Sequence, residues 1–182
     1  MSIARKLDYI IVVDLEATCW APDEPAGDSE IIQIGSCCLD VRNLSIHDSS
    51  SIYIRPTRSS VSEFCTALTG LTWEFLRVNG IPFDGAINTF KKRYGPKHRI
   101  WATWGNWDRW KLGDDCSIAN VPFPCGASHI NIKELHAVKR KLPRSLGLGS
   151  ALRHEGLSFE GKEHNGEDDA INAARVMQRI LG

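Results

Sequence analysis

Two carboxylates follow a strongly apolar run near the start of the 182-residue chain. Asp14 and Glu16, in the segment YIIVVDLEATCW, are separated by a single leucine and come directly after the apolar residues 9–13. If this segment is a strand, both side chains lie on one face, because alternate residues of a strand point the same way. Two carboxylates this close both stay ionised only when a cation compensates their charge, and hard divalent cations prefer oxygen ligands. The pair therefore predicts a metal site, with ordinary surface acids at a strand end as the alternative.

A third carboxylate stands in the segment WGNWD. Asp108 follows the strand-like residues 99–104, RIWATW, and begins a predicted helix. Ligand sites of open α/β sheets collect at such strand ends, so Asp108 is a candidate further ligand. Aspartate also commonly caps helix N-termini, and that role is the alternative for Asp108.

The segment HNGEDDA, residues 164–170, offers three more acids at the start of the final helix. The helical period places Asp169 beside the apolar stripe, whereas Asp168 falls on the same side as Asn172, which we expect to face solvent. Asp169 is therefore the carboxylate expected to point inward. Glu167 and Asp168 are interpreted as first-turn acids that interact favourably with the helix dipole.

His164 precedes this helix in a glycine-containing loop, from which it can approach whatever Asp169 binds. With an unperturbed pKa of about 6.5, an imidazole can take a proton from water near neutral pH. A single histidine is more often an ordinary surface or core residue, so the candidacy of His164 depends on its neighbours.

The apolar pattern predicts one mixed α/β domain over residues 1–182. Short or turn-rich connections favour antiparallel pairing of the first three strands, and the later strands alternate with helices. Strands are predicted at 9–13, 30–39, 51–55, 99–104 and 129–132, and helices at 62–68, 72–78, 84–94, from about 108, at 133–141, at 148–154 and at the C-terminal end.

The composition restricts the class of partner. The formal net charge is zero, so attraction to a polyanion must come from local patches or bound cations. The six cysteines contain no CxxC pair, and no apolar run approaches the roughly 20 residues of a membrane span. We therefore expect reduced, buried thiols in a cytoplasmic protein without a membrane partner.

Together these motifs resemble those of the DEDDh family of 3′-to-5′ exonucleases. DLEATC, GNWD and the pair formed by His164 and Asp169 match the three family motifs in order. The segments SEFCTALTGLT and HNGEDDAINAARV resemble the branch that contains the eukaryotic 3′ histone-mRNA exonuclease. The resemblance covers nearly the whole chain and implies a ribonuclease H-like fold, a mixed five-stranded sheet flanked by helices with the first strand in the centre.

The resemblance also implies an activity: hydrolysis of single-stranded nucleic acid, RNA rather than DNA, from its 3′ end to nucleoside 5′-monophosphates. It makes Asp14, Glu16, Asp108 and Asp169 the ligands of two Mg²⁺ or Mn²⁺ ions about 3.5 to 4 Å apart. Glu16 is also expected to be catalytic, and His164 is the expected general base and a substrate contact.

The expected substrate contacts surround this centre. Trp107 is a candidate to stack on the terminal base, and the resemblance brings the backbone near Ala17 close to the nucleotide. Trp20, Leu68 and Thr69 are further candidates, with core packing equally expected for Leu68. Core packing is favoured for three neighbouring tryptophans, Trp101, Trp104 and Trp110.

Two basic stretches, residues 91–99 and 139–144, are candidate phosphate contacts, with solvated helix faces as the alternative. The first strand begins within ten residues of Met1, so we expect no N-terminal RNA-binding domain and short single-stranded substrates. Two alternative functions are a DNA exonuclease of the proofreading or repair type and a non-catalytic nucleic-acid-binding module. The second is disfavoured because all five catalytic positions are filled.

Overall fold

The computed structural model describes residues 6–25 and 27–182. The strands are β1 (Tyr9–Ala17), β2 (Ile31–Asp40), β3 (Ile46–Tyr53), β4 (Ile100–Thr103) and β5 (His129–Asn131). The helices are α1 (Glu63–Thr69), α2 (Trp73–Asn79), α3 (Phe83–Tyr94), α4 (Trp107–Ile118), α5 (Ile132–Lys139), α6 (Leu148–His154) and α7 (Gly166–Leu181). A 3₁₀ turn, Pro96–His98, precedes β4.

The strands form one mixed five-stranded sheet in the order β3-β2-β1-β4-β5. β2 runs antiparallel to β1 and β3, whereas β4 runs parallel to β1 and β5. Because β1 is central and covered on both faces, it carries a continuous apolar run instead of an alternating pattern. The predicted sheet and the antiparallel pairing of its first three strands are confirmed.

Alternation along β1 divides its side chains between two apolar cores. Ile11 and Val13 pack with residues of α3 and α4 on one face of the sheet. Ile10 and Val12 pack with residues of α5, α6 and α7 on the other face. Asp14 continues the even-numbered series, so the strand itself directs this carboxylate toward the side that α7 covers.

Two glycines allow the N-terminus of α7 to lie directly on β2. A Cβ atom on Gly35 would lie 1.8 Å from the carbonyl carbon of Gly166. The Gly166 N–H donates to the side-chain oxygen of the buried Gln33 at 3.2 Å. In the sheet register Gly35 is opposite Asp14, so this contact sets the first turn of α7 beside the acidic end of β1.

β3 is longer than the sequence predicts, because it begins at Ile46 rather than at Ser51. Asp40 Oδ1 accepts hydrogen bonds from the N–H groups of Arg42 and Asn43 at 2.7 and 3.1 Å, forming a tight turn after β2. The first half of β3 is a polar sheet edge, which an apolar pattern does not reveal.

Two side chains lie on the opposite side from the one predicted. Asn172 is fully buried, because its amide forms hydrogen bonds with the backbone of Glu160. Trp110 is 63% exposed, because the buried stripe of α4 runs through Leu112 instead. The expectation of core packing holds for Trp101, which is 1% exposed.

All six cysteines are free thiols, and five of them are buried. The expected packing role is therefore confirmed for every cysteine except the partly exposed Cys19. In the described ranges, the helices are too short or too polar for any of them to cross a bilayer.

We expect Gly35→Ala to lower the free energy of unfolding by about 1–3 kcal/mol or more, because the added methyl group overlaps the backbone of α7. Gly113→Ala is the matched control: it lies within α4 with nothing within 4 Å of the added Cβ, so it should stabilise by up to about 1 kcal/mol. Urea denaturation measures both. Equal stability of the two variants would contradict the close approach of α7 and β2.

Candidate active site

Four carboxylates from three elements meet at the end of the sheet where the central strand β1 ends. β1 supplies Asp14 and Glu16 and continues to Ala17, so the pair lies within the strand rather than after it. α7 supplies Asp169 from its first turn. One carboxylate oxygen each from Asp14, Glu16 and Asp169 lie within 4.8 Å of one another. Asp108 of α4 completes the set from the other face of the sheet.

Asp108 is positioned by a backbone group that the sheet leaves unpaired. β4 pairs with β1 only as far as Val12, so the Leu15 N–H lies beyond the paired region. This N–H donates to Asp108 Oδ1 at 3.0 Å, which fixes the buried carboxylate at the acidic end of β1. The N-cap position of α4 belongs to Asn106, so the alternative role of Asp108 as helix cap is not observed.

Burial raises the pKa of every member of the set. Burial is the largest cause for each carboxyl group, and the neighbouring carboxylates add to it. The pKa rises to about 8 for Glu16, to about 7 for Asp108 and to about 6 for Asp169, and that of Asp14 rises well above its usual value. Without added positive charge, Glu16 therefore keeps its proton at neutral pH and Asp108 is about half protonated, whereas Asp169 has largely released its proton.

The donor set fits hard divalent cations. It consists of carboxylate oxygens alone, the ligands that Mg²⁺ and Mn²⁺ favour. Within residues 6–25 and 27–182, none of the four carboxylates forms an ion pair with lysine or arginine. Lys162 and His164 lower the pKa values of Glu16 and Asp169 only in part, and both values stay raised, so these side chains do not balance the charge of the acids.

A cleft of about 380 Å³ opens over the carboxylates and brings them together with His164. The histidine is exposed and has a left-handed backbone with φ of 60°. It lines the cleft beside Asp169, whose raised pKa it partly lowers. An exposed imidazole next to a carboxylate cluster can exchange protons with solvent and with a water molecule in the cleft.

Besides His164, the cleft includes three of the predicted substrate contacts and leaves out two. Ala17, Leu68 and Trp107 line it, and Trp107 is 51% exposed. Thr69 does not reach it, because its hydroxyl donates to the Cys65 carbonyl within α1. The indole of Trp20 packs against Gly27 instead of lining the cleft. Six cleft residues are not among the predicted site residues, namely Leu15, Thr18, Cys19, Ser29, Trp104 and Leu148.

Trp104 was expected in the core, yet it lines the cleft while its ring packs against the apolar residues under α7. Leu148 is the first residue of α6 and enters the cleft from that helix end. The only sequence signal for Trp104 was its position between the strand and Asp108. No signal pointed to Leu148, because the approach of α6 depends on the tertiary fold.

A second group of possible ligands, His136, His154 and Glu155, is already neutralised within the chain. Arg140 donates to both oxygens of Glu155 at 2.8 and 2.9 Å. This guanidinium is the main reason that the pKa of Glu155 falls to about 2, with the two histidines adding to the effect. The group joins α5 to the end of α6. Its negative charge is balanced by Arg140, whereas the four carboxylates have no arginine or lysine ion pair within the described residues.

The basic stretches lie apart from the carboxylates or are partly engaged in other contacts. Residues 91–99 precede β4, at the opposite sheet edge from the carboxylates, and Arg93 and Arg99 form ion pairs with Asp48 and Asp8. In residues 139–144, Arg140 is held by Glu155. A phosphate-binding role for either stretch stays a prediction.

Comparison with known proteins agrees with the geometry. The sequence profile of the exonuclease family RNase_T matches residues 11–177. The nuclease domain of 3′hExo, described as a DEDDh family member bound to rAMP, superposes with a TM-score of 0.87 at 31% identity, covering 98% of this chain and 94% of that domain. The chain belongs to the DEDDh exonuclease family. The predicted ribonuclease H-like fold and the predicted family are both confirmed.

Curated members of the family extend beyond the matched region. 3′-5′ exoribonuclease 1 of Rattus norvegicus is 34% identical over 183 residues, which covers 96% of this chain and 53% of that protein. The human protein of the same name is also 34% identical, with 52% of its length covered. The chain thus spans about half the length of these DEDDh relatives.

The raised pKa values predict how the metal-free protein responds to pH. Unfolded Glu and Asp lose their protons near pH 4, so between pH 6.5 and 8 the native protein holds protons that the unfolded chain has released. The contribution of the cluster to the free energy of unfolding therefore decreases as pH rises toward the pKa of Glu16, about 8. Burial lowers the pKa of His129 to about 4. Below pH 6.5 the unfolded chain therefore binds a proton that the native protein does not, and this group makes the free energy of unfolding increase with pH.

We accordingly expect the metal-free protein to melt at a lower temperature at pH 8 than at pH 6.5, and Mg²⁺ to stabilise it more at pH 8, where the ligands are deprotonated. Thermal unfolding in EDTA and in Mg²⁺ measures both effects. Glu16→Gln, which cannot titrate, should show a smaller decrease. A metal-free melting temperature that is constant or rises over this interval would contradict the assigned pKa shifts.

Proposed function

We propose that this chain is a metal-dependent 3′-to-5′ exoribonuclease that releases nucleoside 5′-monophosphates from the 3′ ends of single-stranded RNA. One observation carries the proposal: the four carboxylates of the DEDDh motifs converge with His164 in one open cleft. The identity of about one third to 3′-5′ exoribonucleases supports RNA as the substrate. Residues 1–182 act as a single exonuclease domain, and the cytoplasmic location stays a prediction.

The four carboxylates would hold two divalent cations, Mg²⁺ or Mn²⁺. Asp14 would be the shared ligand, because the other three acids all contribute to its raised pKa. Glu16 and Asp169 lie together with it, whereas Asp108 approaches from α4. When bound, such cations stabilise the charge that develops on the attacking and leaving oxygens of a phosphodiester.

His164 would act as the general base. Its exposed imidazole stands on the solvent side of the carboxylates, where a water molecule can reach both the histidine and the terminal phosphodiester. Removing a proton from that water increases its nucleophilicity as it attacks phosphorus.

The terminal nucleotide would lie over the cleft between α1 and α4. Trp107 offers an exposed indole for stacking on its base, and Leu68 offers an apolar surface from α1. Ala17 is buried at the cleft floor, where its small side chain lets the nucleotide approach the backbone of β1. These contacts read no base edge, so we expect little sequence preference.

RNA is favoured over DNA by the relatives whose identity is high enough to bear on function. A solved structure that shows 3′-end specific recognition of the histone mRNA stem-loop by a 3′-exonuclease is similar to this chain, at 31% identity and a TM-score of 0.85. A neighbour solved with a dT13 oligonucleotide, Escherichia coli exonuclease I, is only 10% identical and shows the fold alone. The DNA exonuclease alternative is therefore not favoured.

The first test is a time course on matched 5′-labelled RNA and DNA oligomers in Mg²⁺. We expect a ladder that shortens from the 3′ end of RNA and is abolished by Asp14→Ala. Asp114→Ala, which removes an exposed acid from α4, is the control and should keep full activity. Equal ladders on DNA would show a sugar-tolerant exonuclease, and no ladder despite metal-dependent stabilisation would favour the binding-module alternative.

His164→Ala should lower kcat on RNA by about 10²- to 10⁴-fold, because it removes the general base while leaving the carboxylates in place. Stabilisation by Mg²⁺ in thermal unfolding should be nearly unchanged. If the variant lost metal-dependent stabilisation to the same extent as Asp14→Ala, His164 would be acting through metal binding instead.

A further inference from the structure

The loop that carries His164 is fixed to α7 by Asp168, the neighbour of the proposed ligand Asp169. The Lys162 N–H donates to Asp168 Oδ2 at 2.9 Å. Asp168 is a first-turn acid, as expected, and it also accepts a hydrogen bond from the loop before the helix. Its carboxylate is directed backward along the chain onto the segment before the helix, whereas Asp169 points to the cleft.

Gly161 shows how closely the carboxylate and the loop approach. Its φ is +86°, and a Cβ atom at this position would lie 2.4–2.6 Å from the carboxyl carbon and oxygens of Asp168. Only a residue without a side chain allows this contact. The loop backbone is thus shaped to receive the Asp168 carboxylate.

Asn172, one turn further along α7, extends the same attachment. Its amide nitrogen donates to the carbonyls of Glu160 and Asp168 at 2.8 Å each, and its oxygen accepts the Glu160 N–H at 3.1 Å. Asn172 is fully buried, so its amide depends on these partly buried bonds to satisfy its polar atoms. Asp168 and Asn172 together hold residues 160–162 against the helix.

His164 stands between this anchored segment and the helix start. The Asn165 N–H donates to the Lys162 carbonyl at 3.3 Å, and Asn165 Oδ1 accepts the Asp168 N–H at 3.3 Å as the N-cap of α7. His164 itself has φ of +60°, a conformation unfavourable for a residue with a side chain. Such a backbone persists only when the surrounding contacts determine it.

We propose that Asp168 is a positioning residue for His164: its hydrogen bond to Lys162 holds the loop in the conformation that places the imidazole over the cleft. This inference rests on the proposed function only where its test measures activity on RNA. Without the anchor, the His164 backbone would leave the left-handed region, and the general base would spend less time within reach of the attacking water.

A double-mutant cycle tests the proposal. Asp168→Ala should lower kcat on RNA by about 10- to 100-fold with little change in KM, and by less than about 2-fold when introduced into His164→Ala. Asp168→Asn keeps one oxygen that can accept the Lys162 N–H and should recover most of the activity. Glu167→Gln, which removes a negative charge from the same helical turn, is the control.

Equal losses in the two backgrounds would overturn the proposal, because Asp168 would then act independently of His164. A reduced stabilisation by Mg²⁺ in Asp168→Ala would overturn it too, since the effect would pass through Asp169. Amide hydrogen exchange provides a readout that needs no activity: the Lys162 N–H should exchange faster in Asp168→Ala than in the parent. Unchanged exchange would refute the anchor, whereas an inactive parent protein with this faster exchange would refute only the proposed function.

Discussion

The central constraint on this fold is the cost of holding four carboxylates together at the edge of a buried sheet. Removing one ion from water without a partner costs on the order of several kcal/mol, and like charges nearby increase that cost. The rest of the structure must supply this free energy, so the acids are attached to its most stable parts. β1 is the central strand with apolar cores on both faces, and Asp14 and Glu16 project from it.

The other two acids reach the site because helices on opposite faces begin at the same sheet edge. The contact between Gly35 and Gly166 brings the first turn of α7 against the sheet and fixes Asp169. On the other face, α4 begins just after β4, and the unpaired Leu15 N–H binds Asp108. Asp108 and Asp169 are thus held by backbone groups, and in the described part of the chain neither forms an ion pair with lysine or arginine, so both can serve as ligands of a bound metal.

Residue patterns were sufficient for elements with a strong apolar pattern. The apolar run of β1 and the stripe of α7 predicted a central strand, a C-terminal helix and the inward direction of Asp169. They failed where a polar side chain meets a distant backbone group. Asn172 lies on the polar side by helical period, yet it is buried because residues 160–162 return to the helix. Nothing in the spacing of these residues predicts that residues 160–162 pack against α7.

Asp168 and Asp169 show the same limit at adjacent positions. Helical period separates their directions by about 100°, which correctly assigns different surroundings to each. Direction alone does not distinguish a solvated acid from one that binds a loop. That distinction comes from Gly161, whose φ of +86° and missing side chain make room for the Asp168 carboxylate. A DD pair at the start of this helix therefore joins two functions, because one carboxylate faces the cleft while its neighbour fixes the loop that presents His164.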